Sequence, residues 1–172
     1  MQLEKATSDN LTELQKICLA AYTQNFAHHW EKNGLEAYLA EQFSINRLTS
    51  DVNHPDFTYY FIKEGNKSIG FIKVNLAAKL ENYPIESVAE LEKIYILPAM
   101  KGQGIGKKAL TAIIQKIKAI GKKVFFLCVI DTNKTAIKFY EKLGFQFHST
   151  TRLEAPFFKE ELKGMYRMFK KF

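Results

Sequence analysis

The chain has 172 residues, 47% of them hydrophobic, which suits one α/β domain over residues 1–172 with a sizeable core. No apolar run reaches the length of a membrane span and the N-terminus lacks a signal-peptide start, so a cytoplasmic protein with no membrane association is expected. Cys18 and Cys128 have no metal-ligand spacing and read as buried reduced thiols, and the net charge of +7 suits a polyanionic partner, although a solvated helix face accounts for many of the lysines.

Residues 2–6 read as a first strand. Ser8 then reads as the N-cap of a helix whose apolar face is Leu11, Leu14, Ile17, Cys18, Ala21 and Tyr22. Phe26-Ala-His-His-Trp30 breaks that pattern. Adjacent histidines point in different directions on any regular element, which argues against a joint catalytic role for His28 and His29; Trp30 and Tyr38 either wall a pocket or pack. Residues 34–43 and 44–52 read as two shorter helical pieces, and 57–63 and 68–76 as strands joined by a hairpin at Glu64-Gly-Asn-Lys67. A polar interval, 78–87, leads to Glu90 and a β-favouring run from Leu91 to Leu97, punctuated by Pro98.

Three glycines at alternate positions follow in Lys101-Gly-Gln-Gly104-Ile-Gly106. Behind them Leu110, Ile113, Ile114, Ile117 and Ile120 recur at spacings of three and four, so the glycines open an amphipathic helix. Backbone N–H groups there can approach an anion, and the helix dipole adds to the attraction. A dinucleotide fingerprint would need glycine at 107, where Lys107 stands. A Walker loop would need glycine at 101 and Ser or Thr at 108, and both are lysine. From Lys101 to Lys123 there are seven lysines and no acid, yet no interleaved aromatics or zinc spacing, so nucleic acid is not the expected polyanion. Gly121 ends the helix. Residues 124–130 are continuously apolar, the mark of a strand covered on both faces, so strand, helix and strand form a parallel crossover. Asp131 or Thr132 caps a further helix with Ala136, Phe139, Tyr140 and Leu143 on one face and Gly144 at its end. Residues 145–153 and 164–169 read as terminal strands.

Two of these segments resemble the signatures of the GNAT superfamily of N-acetyltransferases. The loop from Lys101 to Gly106 is similar to its acyl-CoA pyrophosphate loop (Arg or Gln, two residues, Gly, one residue, then Gly or Ala), with Lys101 as the departure. Asn133, Ala136, the Phe139-Tyr140 pair and Gly144-Phe145 resemble the second signature, in the same order. The likeness is strong over residues 68–147. Within the superfamily the chain looks like the PaiA-type polyamine N-acetyltransferases, through residues 34–39 and 91–96.

That resemblance implies an α/β GNAT fold: a mostly antiparallel central sheet with one parallel βαβ crossover and helices on both faces. It implies transfer of acetyl from acetyl-CoA to a primary amine by direct attack in a ternary complex, with a polyamine preferred. Glu90, eleven residues before Lys101, is then the first candidate for the base and Glu92 the second; they share a face unless a β-bulge breaks the alternation. The Ile94 backbone N–H would serve the developing oxyanion, and Tyr95 and Ile96 backbone groups with Asn133 would hold the pantetheine arm. Lys101, Gly102, Gln103, Gly104, Ile105, Gly106 and Lys107 would hold the pyrophosphate, and Tyr140 would protonate the departing thiolate. Residues 1–92 carry eight basic against thirteen acidic side chains, and residues 93–172 seventeen against five. A polycation would be steered to the acidic half, with Glu31, Glu36, Glu41, Glu160 and Glu161 as candidates lining the amine entrance. Two other readings stay open: a protein N-terminal or lysine acetyltransferase, which needs an open groove between the N-terminal helices and the last hairpin, and a non-catalytic CoA-binding sensor. A homodimer is left open.

Overall fold

Alternating apolar residues in the N-terminal half and a continuous apolar run at 124–130 give seven strands that pair into one sheet. The computed structural model describes the whole chain, Met1–Phe172. In order it runs β1 (Gln2–Lys5), α1 (Leu11–Phe26), α2 (Gly34–Phe43), α3 (Ile45–Asn53), β2 (Phe57–Glu64), β3 (Lys67–Asn75), β4 (Val88–Ile96), α4 (Ile105–Ala119), β5 (Val124–Ile130), α5 (Lys134–Glu141), β6 (Gln146–Arg152) and β7 (Gly164–Lys171). The sheet order is β1-β2-β3-β4-β5-β7-β6. Every pairing is antiparallel except β4 with β5, where α4 makes the crossover. No helix is long and apolar enough to cross a membrane.

The sheet is buried on both faces. On one, Ala109, Leu110 and Ile113 of α4 pack on Ile72, Val74, Leu91, Phe125 and Leu127. On the other, Leu14, Cys18 and Ala21 of α1, Phe43 and Leu48 pack on Tyr59, Phe61 and Phe71. Each fully buried Leu, Ile or Phe contributes about 1.5–3 kcal/mol, so these two layers hold the sheet between the helices.

Local caps differ from expectation in two places. Thr7, not Ser8, starts the first helical segment: its hydroxyl accepts from the Asp9 N–H at 3.3 Å, while its own N–H donates to Asn10 Oδ1 at 2.8 Å. Ser8 is then free to donate to Asn53 Oδ1 at 3.0 Å. Asn133, not Asp131 or Thr132, caps α5, because its Oδ1 reaches the Ala136 N–H at 3.0 Å.

Two irregularities in β4 position the site. Opposite β3, Lys73 faces Lys93 and Val74 faces Leu91, so Glu92 is an extra residue, a β-bulge. Leu91, Ile94 and Ile96 therefore all lie on the α4 face, and Glu92 and Lys93 both turn to the α1–α3 face. Pairing with β5 covers only Val88–Leu91 against Val124–Leu127, while β4 continues to Ile96 and β5 to Ile130. Past Leu91 the two central strands part.

Candidate active site

The parting of β4 and β5 leaves backbone groups without a sheet partner. The Leu97 N–H donates to the Ile69 carbonyl at 2.9 Å. By the alternation of an antiparallel ladder, Tyr95 and Lys93 then bond to β3, and Ile94 and Ile96 turn their N–H and C=O groups toward the gap. Asn25 Nδ2, on α1, donates to the Ile96 carbonyl at 2.9 Å and to the Ala21 carbonyl at 2.7 Å. Tyr95 corrects the expectation that its backbone holds a ligand. That backbone is engaged within the sheet, paired to Phe71, and its ring packs on Tyr22, Phe26 and Phe71.

A cavity of about 1030 Å³ runs through the gap. Ile94, Ile96, Lys101, Gly102, Gly104, Ile105, Gly106, Lys107, Asn133 and Tyr140 border it, as do Glu90, Glu92, Lys93 and Cys128. From the α1–α2 side come the rings of Tyr22, Phe26, Trp30, Tyr38, Tyr95 and Phe158. Gln103 does not border it. Nor do His28 and His29, or Glu31, Glu36, Glu41, Glu160 and Glu161; these five glutamates are exposed, and Glu160 is engaged by Arg152 and by Lys163 at 3.0 Å. Acidic residues on solvent-facing positions are outside the cavity because the buried faces of the same segments are aromatic.

Three glycines of the loop, Gly102, Gly104 and Gly106, border the cavity. Gly102 and Gly104 have φ of +81° and +72°, and nothing lies within 4 Å of where a Cβ would stand at either position. Gly104 is the N-cap of α4, whose leading N–H groups have no intrahelical acceptor. Lys101 and Lys107 add positive charge. Asn133 has already committed Oδ1 to its cap, so only its Nδ2 can donate to a ligand.

The two candidate carboxylates differ in their surroundings. Burial, and then the charge of Glu92, push Glu90 up from the ordinary 4.5 to about 7. Burial would raise Glu92 too, but the Lys93 and Lys73 ammoniums lie 2.6 and 2.9 Å from its Oε1 and hold it below the ordinary range. Tyr140 is pushed up to about 12 by burial, and Cys128 to about 11 by burial and by Glu90. Lys73 and its partner Asp51, on α3, were not singled out from the sequence. A lysine inside the apolar run 69–74 was the available signal, since a buried ammonium needs a partner. Asn25 gave none.

The loop after β6 is tied to the turn after α1. Trp30 and Phe158 form an isolated β-bridge, the Glu31 N–H donates to the Phe157 carbonyl at 2.7 Å, and the Lys159 N–H donates to the His29 carbonyl at 2.9 Å. A Cβ on Gly34 would meet Phe157 Cβ at 2.5 Å, so the two segments are in close contact there.

Residues 13–145 match the acetyltransferase (GNAT) family. The chain is 28% identical over 170 residues to an uncharacterised N-acetyltransferase of Methanocaldococcus jannaschii, covering 98% of this chain and 66% of that one, just under two thirds of the relative's length. A spermine/spermidine N(1)-acetyltransferase of Bacillus subtilis is 31% identical over 81 residues, 46% of this chain and 53% of that one. Among solved structures, a PaiA N-acetyltransferase from Thermoplasma acidophilum in complex with coenzyme A aligns over 100% of both chains, with a TM-score of 0.78 at 21% identity, a likeness of fold.

Proposed function

Because the chain belongs to the acetyltransferase (GNAT) family, whose acetyl donor is acetyl-CoA, we propose that it acetylates the primary amine of a small molecule, a polyamine by preference. The observation that carries this reading is Glu90: one carboxylate, titrating near neutrality, on the wall of a cavity that also reaches the glycine loop. Acetyl-CoA, when bound, supplies an acetyl group activated as a thioester. Gly102, Gly104 and the first turn of α4, with Lys101 and Lys107, would hold the pyrophosphate, and Asn133 Nδ2 and the Ile96 backbone would steady the pantetheine arm. The Ile94 N–H, turned into the gap, is the fixed donor for developing negative charge. A Glu90 carboxylate oxygen takes the proton from the substrate ammonium, a role for which a group titrating near 7 is suited. Glu92, held anionic by two lysines, binds a proton too weakly to serve as well. Tyr140 Oη keeps its proton at neutral pH and is the general acid.

A polyamine is favoured by the aromatic residues that border the α1–α2 half of the cavity, since aromatic rings attract alkylammonium groups. The partial identity to a spermine/spermidine acetyltransferase points the same way. The lacing of Trp30 to Phe158 ties the late loop to the turn after α1, where a peptide would need an open groove, and so favours a small molecule. The test is acetyl-CoA turnover with spermidine, hexylamine and an N-terminal peptide at low and high salt. Spermidine should give the highest kcat/KM and the steepest fall with ionic strength. Equal values and slopes for spermidine and hexylamine overturn the polyamine assignment, and CoA binding with no turnover of any amine overturns the enzyme reading in favour of a sensor.

A further inference from the structure

Lys73 lies in the middle of β3 with 1% of its surface exposed. Its Nζ is 2.9 Å from Asp51 Oδ2 and 2.9 Å from Glu92 Oε1, with the rings of Phe57 and Tyr59 alongside at 4.5 and 5.5 Å. Asp51 is itself 3% exposed and is further held by Arg47 Nε at 3.0 Å and the Tyr59 hydroxyl at 2.8 Å. From the other side Lys93 Nζ reaches Glu92 Oε1 at 2.6 Å and Gln42 Oε1 at 3.5 Å. These groups form one connected chain from α3, along the α1–α3 face of the sheet, to the cavity wall.

Stability alone does not call for this arrangement. Replacing a buried ion pair by packed apolar groups is often neutral or stabilising, so a methionine at 73 and a neutral residue at 51 would serve the core. The second contact of Lys73 goes to Glu92, and Glu92 adjoins Glu90 at the cavity. We propose that Lys73 is a positioning residue for the acyl transfer: acting through Glu92, it fixes the charge that faces Glu90 and so sets the pH at which Glu90 accepts the proton of the amine. The proposal rests on the reading of Glu90 as the base.

The charges facing Glu90 are Glu92 and Lys93 on its own strand, Lys73 on β3, and Arg167 on β7, with the Cys128 thiol on β5. Tyr38, Tyr59 and Tyr95 face Glu92, and Cys18 on α1 faces Lys73 and Lys93; burial keeps these phenols and this thiol neutral. Arg47 and Asp51 on α3 offset one another. Removing the Lys73 cation therefore leaves the Glu92 anion less compensated and makes Glu90 harder to ionise. Removing the Glu92 charge does the reverse.

The experiment is the pH profile of kcat/KM for Lys73→Met, Glu92→Gln, the double variant and Glu90→Gln. Lys73→Met should move the acid limb upward by about half to one pH unit, from about 7, a loss of about two- to sixfold at pH 6.5 relative to pH 8.5, with the KM for acetyl-CoA unchanged. Glu92→Gln should move it downward, and the double variant should lie between the two. A limb unmoved in both single variants, or moved the same way in both, overturns the proposal, as does a Lys73→Met variant that loses activity equally at every pH. Should Lys73→Met fail to fold, the direction in Glu92→Gln and the double variant decides the matter. Glu90→Gln separates the two readings. If it keeps the parent limb, the base assignment falls and this proposal with it; if it loses the limb while the other variants leave theirs in place, only the role of Lys73 falls.

Discussion

Glu90→Gln should stabilise the protein while disabling it. The fold raises this carboxyl from 4.5 to about 7, chiefly by burial, so the folded chain binds the proton more tightly than the unfolded chain does. The sign follows from that. The contribution to stability is fully present below pH 4.5, is lost progressively as the pH rises, and is gone above about 7. At 1.36 kcal/mol per pH unit, ionising Glu90 in place costs about 3 kcal/mol at pH 8. Glutamine has nearly the same shape and no charge, so it removes that cost, the repulsion from Glu92 included. For a domain of this size the gain corresponds to a rise in Tm of about 6–12 °C at pH 8, shrinking toward zero at pH 4.5. Differential scanning calorimetry of parent and variant at both pH values measures it. The same substitution should lower kcat/KM by about 10²-fold or more, since the proton acceptor is gone. A variant no more stable than the parent at pH 8, or more stable by the same amount at pH 4.5, would refute the picture of a carboxylate kept at a cost for its chemistry.

Two further outcomes bear on the cofactor and the acid. Tyr140→Phe should lower kcat by about 10²-fold or more in steady-state assays while leaving acetyl-CoA affinity nearly unchanged by calorimetry, because the ring stays and only the proton donor is removed. Gly104→Val should weaken acetyl-CoA at least about tenfold by calorimetry, since a β-branched residue is strained at φ +72° and fills the open space before α4, whereas Lys116→Ala should change little. Equal affinity in the Gly104 variant would remove the loop from the cofactor site.

Much of this protein was readable from local chemistry. The glycine loop, the α4 periodicity and the buried run of β5 required the strand–helix–strand crossover, because each depends on residues within a few positions of one another. The carboxylate pair and the tyrosine that border the same cavity as the loop were named from the resemblance to the GNAT signatures, which those local patterns carry. Even the wrong caps, Ser8 for Thr7 and Asp131 or Thr132 for Asn133, missed by one or two residues, since several side chains could reach the same N–H. What no local pattern held was the difference between Glu90 and Glu92. It arises where β4 bulges against β3 and parts from β5, and where Lys73 and Asp51, distant in the chain, come to lie behind one carboxylate and not the other. The α1–α2 side of the cavity was hidden for the same reason. Exposed glutamates suggested an acidic entrance, but the residues of α1, α2 and the late loop that border the cavity are largely aromatic, and Trp30 meets Phe158 only across that fold. Backbone preference and periodicity act over a turn or two of chain and are written in the residues themselves. Burial, and the charges that burial brings face to face, belong to segments far apart in sequence, and only their packing decides which of two like groups is left with a proton to exchange.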